Sequence, residues 1–72
     1  MKTLNENYAK NVEILRINLG RGMTQAQASA GINALQNKFL IAGLYDQDAE
    51  DFINEMRAVV VSHFTKIEVV LL

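Results

Sequence analysis

The chain has 72 residues, half of them hydrophobic, with no cysteine, no proline, one histidine and a net charge of −1. That length allows a single domain, read as spanning residues 1–72, and the missing cysteine excludes disulfides, thiolate metal sites and cysteine nucleophiles together. The apolar content excludes a disordered chain, and of the usual supports for a small fold, disulfides, metals and oligomerisation, only the last stays readily open.

Lack of proline favours long helices over turn-rich β architecture. Leu4, Tyr8, Val12, Leu15 and Leu19 recur at spacings of four, four, three and four, which places them on one face of a first helix. Lys2, Glu6, Lys10, Glu13 and Asn18 fall largely off that face. Thr3 followed by Glu6 has the spacing of a capping box. Gly20-Arg21-Gly22 ends the helix, because glycine readily takes the left-handed conformation of a C-terminal cap.

Thr24, a residue type suited to an N-cap, opens a second helix that runs to about Ala42. Its expected core face is Ala28, Ile32, Leu35, Phe39 and Ala42, with Gln25, Ser29, Gln36 and Lys38 mostly facing water. Ala26, Ala30 and Ala34 form a ridge of small residues along which a neighbouring helix can approach closely. Gly31 costs about 1 kcal/mol inside a helix. It is read as a packing contact, or alternatively as a break.

Gly43-Leu44 has the pattern of a Schellman ending, in which the hydrophobic residue after the glycine folds back. Asp46 or Asp48 then caps a third helix with a face of Ala49, Ile53, Met56, Val60, His63 or Phe64, and Ile67. The acids Asp46, Asp48, Glu50, Asp51 and Glu55 complement the dipole at that helix start. Val59-Val60-Val61 and Ile67-Glu68-Val69-Val70 are β-branched and suit a strand. The helix is expected to about Phe64, with residues 65–72 either continuing it or forming a short strand. The fold class is therefore all-α, three helices packed up-down-up through two short loops.

Charge is divided along the chain. Residues 1–40 hold five Lys and Arg against two Glu, a net +3, while residues 41–72 hold two against six acids, a net −4. The two parts should attract each other, or the corresponding parts of a partner.

Chemical motifs are few. Asp46-Gln47-Asp48-Ala49-Glu50 has the alternating acids of a calcium loop. The glycine required at loop position six is Asp51, however, and the glutamate at twelve is Arg57. Gly20-Arg21-Gly22 precedes a helix N-terminus but lacks the strand and the Lys-Ser/Thr pair of a phosphate loop. His63 could serve as acid or base. Its helical neighbours Val59, Val60, Lys66 and Ile67 suggest an apolar or interface setting instead. No catalytic residue, metal site, cofactor or small-molecule substrate is expected.

Val12-Glu13-Ile14-Leu15-Arg16, followed by Gly22-Met23-Thr24-Gln25-Ala26-Gln27-Ala28, resembles the opening of the phage-repressor type of helix-turn-helix. The resemblance covers residues 12–28 and then departs from the pattern. The family turns sharply about ten residues after the threonine into a recognition helix rich in Ser, Thr and Arg, whereas Asn33 to Ala42 contains one basic residue, Lys38. The resemblance implies a DNA-binding regulator, of phage or mobile-element type, as the alternative function. Gln25, Gln27, Asn33, Gln36, Asn37 and Lys38 are its candidate contacts, since side-chain amides can read adenine.

The leading expectation is a small cytoplasmic, non-enzymatic protein that works by protein–protein contact, as a homodimer or with another protein. It lacks the apolar stretch of a signal peptide or a membrane span. The candidate interface is the apolar C-terminal surface, Val61, Phe64, Val69, Val70, Leu71 and Leu72.

Overall fold

A computed structural model describes the backbone of residues 4–71 and the side chains through Lys66. Three helices follow one another, α1 over Glu6–Gly20, α2 over Gln25–Ala42 and α3 over Gln47–Leu71. Their ends follow from local chemistry. Asn5 caps α1 by accepting from the Tyr8 N–H at 2.9 Å. The expected Thr3 cap is thereby superseded, and Thr3 itself lies outside the described residues. At α2, Thr24 Oγ1 accepts from the Gln27 N–H while the Gln27 side chain accepts from the Thr24 N–H, a reciprocal capping box. At α3 the choice between two aspartates falls to Asp46, whose carboxylate accepts from the Ala49 N–H at 2.9 Å.

The helix stops are set by glycine. Gly22, at φ 106°, takes the turn after α1 that a side chain would strain, and Gly43, at φ 71°, closes α2. Leu44 N–H donates to the Phe39 carbonyl and Gly43 N–H to that of Leu40, the two bonds of a Schellman motif. The accompanying apolar contact is weak, since Leu44 stays 60% exposed.

The helices pack up-down-up. Tyr8 meets Phe52, and Leu19 lines a groove with Ser62 and His63, so α1 and α3 run parallel. Phe39 lies by Phe52 while Arg57 reaches back to Asn33 and Gln36, so α2 runs antiparallel to both. Both α1 and α2 pack on α3 and touch each other far less. The third helix is the centre of the fold.

This central position explains the core. Its fully buried large side chains are Phe52 and Ile53, adjacent residues of α3. Val12, Leu15 and Leu19 of α1, Ala28 and Ile32 of α2, and Met56 and Val60 of α3 complete it, and no polar side chain is buried among the described residues. At one end three rings join the three helices. Tyr8 stacks on Phe52 with centroids 4.3 Å apart, and Phe39 is tilted against both at 6.2 and 6.3 Å. Phe52 had no place on the expected face of α3, whereas Ala42, expected in the core, is exposed.

The β-branched runs do not form a strand. Helical backbone continues through Val59-Val60-Val61 to Leu71, which resolves the alternative for residues 65–71 in favour of helix extension. Val60 is buried and Val59 packs against the core, so burial overrides a helix-propensity penalty of a few tenths of a kcal/mol per residue.

Gly31 neither breaks α2 nor packs against anything, because a Cβ built there would meet no atom within 4 Å. Replacing Gly31 by alanine should therefore stabilise the fold by about 1 kcal/mol. The readout is a higher urea midpoint at unchanged slope, and a lower midpoint would mean that the exposed glycine backbone is covered by something.

Candidate interaction surface

The candidate surface is centred on α3, which outlasts its companions. Tyr8 stands beside Phe52, so α1, ending at Gly20, runs out near the level of Phe64. The α3 backbone continues seven residues further to Leu71, or about 10 Å at 1.5 Å per residue. The sequence of that extension, Thr65-Lys66-Ile67-Glu68-Val69-Val70-Leu71, is mostly apolar.

Of the expected interface residues, Val61 is 61% exposed and Phe64 is half-buried against the core. Val69, Val70 and Leu71 belong to α3, but their side chains lie outside the described residues, as does all of Leu72. Further apolar surface was not anticipated. Ile14 and Ile17 stand out from α1, and Leu40, Ile41 and Leu44 cluster in sequence at the end of α2, with Ile41 80% exposed. The helical spacing carried a signal for them, since none occupies a position on the core stripe.

Two concavities flank α3. The larger, about 510 Å³, lies between the end of α1 and the middle of α3. Leu19, Ala58 and Val59 give it apolar surface, while Arg16, Glu55, Ser62, His63 and Lys66 supply polar groups. Arg16 also reaches Glu13 at 3.4 Å, an exposed pair of small energetic weight. The smaller, about 110 Å³, is the apolar cleft where α1 and α2 splay, with Leu15, Met23, Gly31 and Leu35 around Met56.

His63 accordingly has a more polar setting than its sequence neighbours suggest. Its ring lies edge-on to Phe64 at 5.0 Å, at the side of the larger groove. Among the described residues no hydrogen bond ties it to a carboxylate, and Ser62, adjacent on the helix, lines the same groove. The groove lining supplies charges and hydrogen-bond donors.

The amides considered for DNA reading fall in different settings. Arg57 donates to Asn33 Oδ1 at 2.9 Å and to Gln36 Oε1 at 2.8 Å, and Gln36 Nε2 donates to the Tyr45 hydroxyl at 3.0 Å. Gln27 is held in the capping box. Gln25, Asn37 and Lys38 are exposed. The second helix runs through Gly31 without the turn that the helix-turn-helix resemblance implies.

Among the described residues there is no cluster of His, Cys, Asp and Glu able to hold a metal, and no helix is long and apolar enough to cross a membrane. Comparison with protein-family models, with curated proteins and with solved structures returned no match.

Proposed function

We propose that this chain is a non-enzymatic cytoplasmic interaction protein that associates with a second copy of itself through α3. The observation that carries the reading is the apolar surface left outside so small a core. Ile14, Ile17, Leu40, Ile41, Leu44 and Val61 all remain substantially exposed. Burying such a side chain is worth roughly 1.5–3 kcal/mol before association costs, so a few of them decide whether two chains stay together. The extension of α3 beyond the end of α1 gives that association a place, and the absence of cysteine suits a reducing compartment.

Light scattering over a range of concentrations tests the reading. The full chain should approach twice its 8.1 kDa mass as concentration rises, and a chain ending at Lys66 should shift toward the single mass. Single mass for both, with equal stability, would contradict self-association through this helix.

A further inference from the structure

Resting on that self-association reading, we propose that the groove between α1 and α3 receives α3 of a second copy in antiparallel orientation. The contact is two-fold symmetric, with Glu55 of each copy opposite Lys66 of the other.

Glu55, Val59, Ser62 and Lys66 follow one another at steps of four, three and four, the spacing of a helix–helix seam. All four line the groove. The seam carries a negative end, a small uncharged middle and a positive end. Antiparallel pairing about the point between residues 60 and 61 maps the groove positions of α3 onto one another. Glu55 then falls opposite Lys66, Ala58 opposite His63, and Val59 opposite Ser62. A large side chain thus meets a small one near the centre, and opposite charges meet at both ends. Parallel pairing would set Glu55 against Glu55 and Lys66 against Lys66, which is repulsive. The small centre allows close approach of the two helices. This seam lies on a different face of α3 from Val61.

Charge reversal tests the arrangement, with sedimentation velocity as the readout and circular dichroism verifying that each variant is helical. Glu55→Lys and Lys66→Glu each turn two symmetric attractions into repulsions, and each should raise the dissociation constant about tenfold. The double variant restores both attractions and should return to within about threefold of the original chain. If a reversed variant loses helicity, Glu55→Gln and Lys66→Gln replace it and should weaken association by a smaller factor. A dimer that tolerates both single reversals but is lost on Val61→Ser places the contact on the other face and overturns this proposal, while self-association stands. Weakening by both singles without rescue in the double overturns the antiparallel register. A wild-type chain that stays monomeric at every concentration overturns the proposal and the self-association reading together.

Discussion

Replacing Phe52 by alanine is expected to remove about 3–5 kcal/mol of stability, which is most of what a chain of this size possesses. The ring is 1% exposed and lies where all three helices meet, stacked on Tyr8 and tilted against Phe39. Truncation deletes the central member of that aromatic group and leaves a cavity that helices fixed by short loops can close only in part. Urea denaturation should show the midpoint collapsing toward zero, with helical signal already reduced in water. A variant that still unfolds cooperatively near the original midpoint would mean that the three rings do not form the keystone of the core.

Replacing Arg57 by methionine is expected to cost roughly 2 kcal/mol, the next largest effect. Methionine keeps the apolar stem of the side chain. It loses the guanidinium that bonds Asn33 and Gln36 across the α2–α3 contact. Gln36 also holds the Tyr45 hydroxyl, so the loss loosens the connection from α2 to the loop before α3. Arg57→Lys should fall between, because an ammonium lacks the fork that serves two acceptors. Thermal or urea unfolding of the three chains ranks them. Equal stability of the methionine variant would show that these amides are free in solution.

Local signals survived the passage from sequence to fold better than faces did. Thr24, Gly43 and the aspartate before α3 act on the backbone within a few residues, so their chemistry is legible without knowledge of packing. Phe52 was not legible for a physical reason. A helix that touches two neighbours buries a wide stripe, and the sequence does not say which of three helices lies in the middle. The expected α3 face followed Ala49, Ile53, Met56 and Val60, whereas Phe52 belongs to the part of the stripe turned toward Tyr8. The third helix also kept its valines helical, since burial of Val60 outweighs a weak intrinsic preference.

The surface was harder to read than the core. Ile41 and Leu44 lie off the core stripe, yet the spacing alone does not say whether another element covers them, which is a tertiary fact. The groove around His63 brings Arg16 into one concavity with Glu55, thirty-nine residues later in the chain. The charge division between the two parts of the sequence hinted at such complementarity. Only the parallel course of α1 and α3 gives it a location.

Self-association of this chain is tested most directly by the dependence of the urea midpoint on protein concentration. A ligand that binds only the folded chain stabilises it by mass action, and here the ligand is the chain itself. Across a hundredfold range of concentration, a self-associating chain should show a midpoint that climbs steadily as dimer accumulates. An invariant midpoint, together with the mass of a single chain at both extremes, would contradict self-association.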